Sequence, residues 1–153
     1  MFVIGCGADQ NPTPRRTMEW AQQHGRALAN AVEAALVSRA RPVRGPLRVA
    51  LEEVALELAP PVMAEVKQQA ASNDKYAKRH AEMVLAEIEK NGRVDTTYPY
   101  LVQVARFGDD LMMIGLAGEV VVDYSLRLKA ELAEAPLWVM GYTNDVFGYV
   151  PSE

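Results

Sequence analysis

The sequence predicts an α/β domain with a mixed sheet, flanking helices and at least one βαβ unit. Residues 17–38 repeat apolar positions at helical spacing, whereas residues 47–58 and 100–107 alternate apolar and polar side chains. The continuously apolar run Leu111–Leu116 is followed by a helical pattern and a further apolar run, Leu137–Met140. Strand, helix and strand within about thirty residues favour parallel pairing of the two strands.

The N-terminal part is predicted to contain one strand and one long helix. Phe2-Val3-Ile4 is a short apolar run that ends at Gly5-Cys6-Gly7, which is typical of a buried strand leaving its sheet. Thr17 to Ser38 is predicted to form an amphipathic helix, with polar side chains on the opposite face. Its apolar or small stripe consists of Met18, Ala21, Gly25, Leu28, Val32 and Ala35.

The alternating segment from Leu47 to Leu58 changes phase near Glu52-Glu53. One residue is therefore extra in a strict two-residue period, which indicates either a β-bulge or two short strands.

Two helices are predicted between residues 60 and 93, where they would form a surface insertion. Residues 62–71 are predicted to form a short helix. Pro60-Pro61 stands at its start, and proline is tolerated in a first helical turn. Ser72-Asn73-Asp74 supplies capping residues for a helix over 75–90, and Asn91-Gly92 supplies its stop.

The second half of the chain is predicted to carry the sheet core. Tyr100 to Phe107 and Leu111 to Leu116 are two strands joined at residues 108–110, and the second is expected to be central because it is continuously apolar. Gly118-Glu119 forms a tight exit from that strand. A helix then follows, with Val121, Tyr124, Leu128 and Leu132 at helical spacing.

Composition excludes several classes of function. The chain has 153 residues and a net charge of -4, without a basic block that could follow a nucleic-acid backbone. No window is long and apolar enough to predict a transmembrane segment. The lone Cys6 excludes an internal disulfide.

Polar side chains follow three predicted strands, at the edge where α/β sheets bind ligands. Each loop combines glycines with carboxylate, carboxamide or phenol groups, so we expect a convergent polar site. The groups are Asp9 and Asn11, then Glu119, and finally Tyr142, Asn144, Asp145 and Tyr149.

Each of these residues also has a purely structural interpretation. Asp9 and Asn11 could shape a turn and cap a helix that begins near Pro14. Glu119 is favoured by the dipole of a first helical turn, and Tyr149 could be a packed aromatic side chain.

The imidazoles and the thiol are interpreted as structural. His24 and His80 lie within predicted helices and have no partner at metal-ligand spacing. Cys6 has no nearby base in the pattern, so we interpret it as a small buried side chain.

Three segments together resemble the neutral/alkaline non-lysosomal ceramidase family and its bacterial relatives. They are Gly7-Ala8-Asp9-Gln10-Asn11-Pro12, the Gly118-Glu119 exit, and the closing segment Gly141 to Val150, in that order. The resemblance spans nearly the whole chain. It implies that residues 1–153 are the C-terminal part of a larger catalytic domain.

That family hydrolyses the amide of N-acyl sphingosines with one zinc ion, held by two histidines, a glutamate and a tyrosine. The resemblance implies Glu119 and Tyr149 as zinc ligands, with Asp9 and Asn144 binding substrate. Asn11 stands where the family has a serine considered important for activity, and it is the catalytic candidate here, since its amide could donate a hydrogen bond to an oxyanion.

The resemblance also implies partners and a location. Both histidines would lie upstream of Met1, so the chain would need the remainder of its catalytic domain and would be inactive alone. The substrate would be a lipid-like N-acyl amide, and the protein would be secreted or periplasmic. The alternative interpretation is a noncatalytic α/β scaffold or binding module, in which the same loops cap helices and hold turns.

Overall fold

A computed structural model of the chain describes residues 2–133 and 136–152 and confirms the α/β class. Helices accompany a mixed sheet of four strands in the order β1-β2-β3-β5, and a second sheet pairs β4 with β6. The elements are α1 Met18–Val37, β1 Leu47–Glu57, α2 Met63–Ala70, α3 Lys75–Asn91, β2 Thr97–Phe107, β3 Leu111–Leu116, β4 Glu119–Val120, α4 Val122–Glu131, β5 Leu137–Met140 and β6 Tyr149–Val150.

The chain divides into two compact units. The first comprises Met1–Glu52 and Leu101–Glu153, and the second comprises Glu53–Tyr100. The helical segment predicted as an insertion, residues 60–93, lies within the second unit.

The core of the first unit is built on the βαβ unit that the sequence predicts. Strand β3 pairs antiparallel with β2 from Phe107 opposite Leu111 onward. It pairs parallel with β5, from Met112 opposite Leu137 to Gly115 opposite Met140, and α4 connects the two strands. Because β3 has a neighbour on each side, it is a central strand of the sheet, as its continuous apolar run predicts. The core side chains of this unit are Cys6, Leu111, Ile114, Leu116, Ala117, Val120, Val139 and Val150.

One strand prediction is wrong, and one of the two alternatives for residues 47–58 is excluded. Phe2-Val3-Ile4 is not a strand, and Phe2 is 79% exposed. An apolar run of this length becomes a strand only where a sheet edge pairs with it, and among the described residues Phe2, Val3 and Ile4 belong to no sheet. The segment from Leu47 does not split into two strands, since β1 runs unbroken to Glu57. The change of phase places Leu51 and Val54 on opposite faces of one continuous strand.

Helix α1 forms where its period predicts, but its apolar stripe is not buried. The Thr17 hydroxyl accepts a hydrogen bond from the Trp20 backbone N–H at 3.3 Å and caps the helix. None of the twenty residues of α1 is buried, and Leu36 is 79% exposed. Amphipathic spacing therefore predicts the type of element here and not its position in the core.

The second unit has its own small core between α2 and α3. Val66 of α2 and Ala81 and Val84 of α3 are buried, and four partly buried side chains pack against them, namely Ala70, Leu85, Ile88 and Val94. Both ends of α3 are capped as the sequence predicts. Asp74 accepts hydrogen bonds from the backbone N–H groups of Tyr76 and Ala77, at 2.8 and 3.1 Å, and Gly92 ends the helix with φ 74°.

Among the helices formed by the described residues, none combines the length and apolar character needed to cross a lipid bilayer.

We predict that the Asp74 cap makes the stability of the second unit depend on pH at acid pH. Hydrogen bonds from Ala77 and Tyr76 lower the pKa of the Asp74 carboxyl below its ordinary value. The pKa of Asp74 is lower in the folded chain than in the unfolded chain, where it is about 4, so the ionised carboxylate stabilises the fold at pH values above about 4. This stabilisation is lost as the pH falls through the folded-state pKa. Asp74→Ala should therefore lower the unfolding temperature at neutral pH, with a smaller difference from the wild type in acid.

Asp74→Asn is the matched control, since asparagine also caps helices but does not titrate. It should retain most of the thermal stability at neutral pH. Equal unfolding temperatures for Asp74→Ala and the wild type at neutral pH would show that the cap contributes nothing.

Candidate functional site

A sharp turn follows the central strand and leads directly into the candidate site. Gly118 has φ 76°, a conformation that side chains other than glycine rarely adopt. A Cβ atom at this position would lie 2.9 Å from the backbone oxygen of Gly148. Gly118 therefore permits both the turn and the close approach of the closing segment.

The turn delivers Glu119 into a two-stranded parallel sheet that the sequence patterns do not predict. Strand β4 pairs with β6, and Glu119 is the register partner of Tyr149, with Val120 opposite Val150. The Glu119 backbone N–H donates to the Gly148 carbonyl at 2.8 Å, and the Val121 N–H donates to the Val150 carbonyl at 3.3 Å. Register partners in a sheet direct their side chains to the same face, so the Glu119 carboxylate and the Tyr149 phenol project from the same face of this sheet.

Tyr142 completes a group of one carboxylate and two phenols. Its hydroxyl donates a hydrogen bond to Oε2 of Glu119 at 3.2 Å. Its backbone N–H donates to the Gly118 carbonyl at 3.0 Å, and its φ of 55° is unusual for a residue with a bulky side chain. We call Glu119, Tyr142 and Tyr149 the acid–phenol cluster.

The acid–phenol cluster raises the pKa of the Tyr142 hydroxyl. Desolvation raises the pKa of Tyr142 above its ordinary value, and the charge of Glu119, its hydrogen bond and the charge of Tyr149 act in the same direction. A tyrosine is a hydrogen-bond donor throughout the neutral range at its ordinary pKa, and the upward direction extends that range to higher pH.

The structure places Asp9 next to the cluster's strand but gives it a capping role. The Ala8 N–H donates to the Val120 carbonyl at 3.2 Å, which brings the first loop against β4. Oδ1 of Asp9 accepts the N–H of Val122, the first residue of α4, at 2.9 Å. This hydrogen bond is the main cause of the lowered pKa of Asp9. Asp9 thus caps α4, and the prediction that it would cap the helix beginning near Pro14 is wrong.

Asn11 and Asn144 are tied to other partners. Oδ1 of Asn11 accepts a hydrogen bond from the exposed Arg15 guanidinium at 2.6 Å. Asn144 has φ 70°, and its amide donates to the Gln103 side chain at 3.1 Å, on β2. Neither side chain is hydrogen-bonded to the acid–phenol cluster in the described structure.

The histidines and the cysteine lie apart from the cluster's hydrogen bonds. His24 stacks on Trp20 at a ring-centroid distance of 6.4 Å, and its Nε2 lies 2.8 Å from the Pro14 carbonyl. His80 is exposed on α3. Cys6 is buried, and desolvation raises the pKa of its thiol, which disfavours the nucleophilic thiolate.

The donors in this region are oxygen atoms. Within residues 2–133 and 136–152, no group of three or more His, Cys, Asp and Glu side chains could hold a metal ion. The carboxylate of Glu119 and the phenol of Tyr149 are nevertheless hard oxygen donors that suit zinc when nitrogen ligands complete its sphere.

The sequence places Tyr142 among the polar groups of the expected site but does not predict its hydrogen bond to Glu119. Its partnership with Glu119 depends on the left-handed backbone after β5, which no pattern of apolar residues reports. The glycine at 141 was the available signal, because a glycine directly after a predicted strand marks a turn.

A separate shallow cleft of about 230 Å³ lies on α4 and is lined by Asp123, Tyr124, Arg127 and Ser152. It is smaller than the usual ligand pocket of roughly 300 to 1,000 Å³ and includes no residue of the acid–phenol cluster. We therefore give it no part in the candidate site.

Comparisons of this chain with protein-family models, curated proteins and solved structures found no match.

We predict that Gly118→Ala lowers the free energy of unfolding by at least about 2 kcal/mol. The left-handed conformation alone costs about 1–2 kcal/mol for an alanine, and the Gly148 carbonyl is too close to the new Cβ. Chemical denaturation measures the change. Gly148→Ala is the matched control, because its Cβ would meet nothing within 4 Å, and it should cost less than about 1 kcal/mol.

We predict that Glu119→Gln lowers the pKa of Tyr142 towards its ordinary value. The charge of Glu119 is removed, while desolvation continues to hold this pKa somewhat high. A pH titration of the Tyr142 ring by NMR measures the effect. Glu131→Gln is the control, because Glu131 pairs with Arg127 on α4. An unchanged Tyr142 titration in Glu119→Gln would contradict the proximity of the two groups.

Proposed function

We propose that this chain supplies part of the active site of a zinc-dependent amide hydrolase resembling the neutral ceramidases. The observation that carries the proposal is the register of β4 and β6, which pairs Glu119 with Tyr149. These two residues are the ones that the family resemblance implies as ligands. They lie about thirty residues apart in the sequence, and a noncatalytic loop has no requirement to bring them together.

The chemistry of the donors fits the proposed metal. Glu119 offers a carboxylate and Tyr149 a phenol that is 64% exposed and so accessible to an ion. Zinc, when bound, would polarise an amide carbonyl and lower the pKa of a water molecule. The remaining two ligands, both histidines, would come from outside residues 1–153, which is why the isolated chain is expected to be inactive.

Tyr142 acts in this proposal as a positioning residue for Glu119. Its hydroxyl donates a hydrogen bond to Oε2 of Glu119, which restricts rotation of the Glu119 side chain and leaves Oε1 for another partner. The Tyr142 hydroxyl is protonated at neutral pH, since its pKa lies above the ordinary tyrosine value. A neutral donor on the carboxylate holds it in place without bringing a competing charge into the site.

The loops around the cluster would contact the substrate. Oδ1 of Asp9 accepts the hydrogen bond that caps α4, and we propose that the same carboxylate also contacts a substrate hydroxyl or amide group. We propose Asn11 as a donor to an oxyanion and Asn144 as a second polar contact, on the basis of the resemblance. A lipid-like N-acyl amide fits a site whose polar groups are few and lie beside apolar strands.

A noncatalytic α/β scaffold is the second candidate, and one observation favours it. The carboxylate of Asp9 caps α4 and the amide of Asn11 is bonded to Arg15, so both side chains have structural partners. In a scaffold, the hydrogen bond from Tyr142 to Glu119 would likewise only hold the closing segment.

Zinc content and activity distinguish the two candidates. We predict that the full natural protein contains about one zinc per chain and hydrolyses some of a panel of N-acyl sphingosines, N-acyl amino acids and short N-acyl amides. Glu119→Gln and Tyr149→Phe should each lower both zinc content and hydrolysis. Tyr142→Phe should weaken zinc affinity or activity by roughly 10–100-fold, as expected when the support of a ligand is removed.

Tyr76→Phe is the control for the phenol substitutions, because Tyr76 is 82% exposed on α3. Elemental analysis measures zinc, and mass spectrometry of the released fatty acid measures hydrolysis. A protein without stoichiometric zinc, or with zinc that is unchanged in Glu119→Gln, would leave the scaffold as the function.

A further inference from the structure

Strand β1 has an unpaired edge in the sheet formed by the described residues. It stands at one end of the order β1-β2-β3-β5, so only β2 lies beside it. The Gly108 N–H donates to the Pro46 carbonyl at 3.1 Å. At this end of the strand, the backbone N–H and C=O groups of even-numbered residues therefore point towards β2. The backbone groups of Leu47, Val49 and Leu51 therefore point to the open edge, because successive residues alternate.

Natural proteins usually protect such an edge, and this one is poorly protected. Strand β1 has eleven residues without a proline, and all but one of them are exposed. Leu47, Val49 and Leu51 are 57%, 68% and 59% exposed, so the strand offers apolar side chains as well as unpaired backbone groups. A long, exposed apolar edge is a template for pairing with another strand.

The sequence at this edge is complementary to itself. Residues 48–52 read Arg-Val-Ala-Leu-Glu, with a cation and an anion at equal distances from Ala50. If the segment meets its own copy antiparallel with Ala50 on the axis, Arg48 lies opposite Glu52 and Val49 lies opposite Leu51. Each of these contacts occurs twice, as two-fold symmetry requires.

The charges at this edge lack partners within the described chain. Neither Arg48 nor Glu52 takes part in an ion pair there. Arg48 lines a pocket with Arg106, whose guanidinium already binds Asp109 at 2.8 Å. A glutamate from a second strand would therefore meet a surplus of positive charge.

We propose that this protein forms a two-fold dimer by antiparallel pairing of residues 48–52 of β1 with the same residues of a second copy. The outward N–H and C=O groups of Val49 and Leu51 then bond to each other across the interface. The charges select the register: an axis at Glu52 would set this glutamate against itself, whereas the axis at Ala50 forms two Arg48–Glu52 pairs. This inference does not depend on the proposed hydrolase activity.

Charge reversal tests both the interface and its register. The wild-type protein should show a concentration-dependent monomer–dimer equilibrium in analytical ultracentrifugation. Arg48→Glu and Glu52→Arg should each weaken dimerisation by at least about tenfold, because two opposite-charge pairs become two like-charge pairs. A mixture of the two single variants should dimerise again, as should the double variant, because opposite charges then face each other. Arg26→Glu, on the exposed helix α1, makes the same charge change as Arg48→Glu and should leave the equilibrium unchanged.

A second variant tests the backbone pairing separately. Val49→Pro removes an N–H that points to the open edge, a position where proline is tolerated, so the variant should keep its circular dichroism spectrum and lose the dimer. A wild-type protein that is monomeric throughout the concentration range would overturn the proposal. Single charge variants that dimerise like the wild type, or a mixture that stays monomeric, would also overturn it.

Discussion

The closing segment, residues 141–150, is held against the exit of β3, residues 116–121, by backbone hydrogen bonds that run in both directions. Backbone N–H groups of the exit donate to carbonyls of the closing segment, and N–H groups of the closing segment donate to carbonyls of the exit. Because buried backbone groups are paired almost without exception, neither segment can keep this conformation without the other. The bonds are Gly118 to Asp145, Glu119 to Gly148, Val121 to Val150, Tyr142 to Gly118 and Thr143 to Leu116, donor first.

This pairing also explains the unusual backbone of the region. Gly118, Tyr142 and Asn144 all have positive φ values, and they lie within or beside the paired segments. A bulky residue such as Tyr142 adopts that conformation only where surrounding contacts determine it, and such positions concentrate at functional sites. Here the conformation directs the Tyr142 hydroxyl to Glu119. The paired segments thus form a rigid support for a small set of oxygen atoms.

The two most exposed elements, α1 and β1, show where local patterns stop being informative. Both have the periodicity of elements that cover a core, yet no residue of α1 is buried and all but one of the residues of β1 are exposed. The spacing of apolar residues reports which backbone conformation suits a segment, since that spacing depends on the segment alone. Burial depends on a surface elsewhere that accepts the apolar face. For β1, we have proposed that a second copy of the chain offers such a surface.

The sequence alone determined the class of fold, the limits of α1, α3, β3 and β5, and the parallel βαβ unit, because these follow from apolar spacing, capping residues and chain handedness. It also singled out Glu119 and Tyr149, through the loops that follow strands and through a family resemblance. The tertiary structure alone decided that Glu119 and Tyr149 are register partners, that Tyr142 donates a hydrogen bond to Glu119, and that Asp9 caps α4. These contacts join residues far apart in the chain, and such pairs form only after packing has brought their backbones together, so no local pattern encodes them.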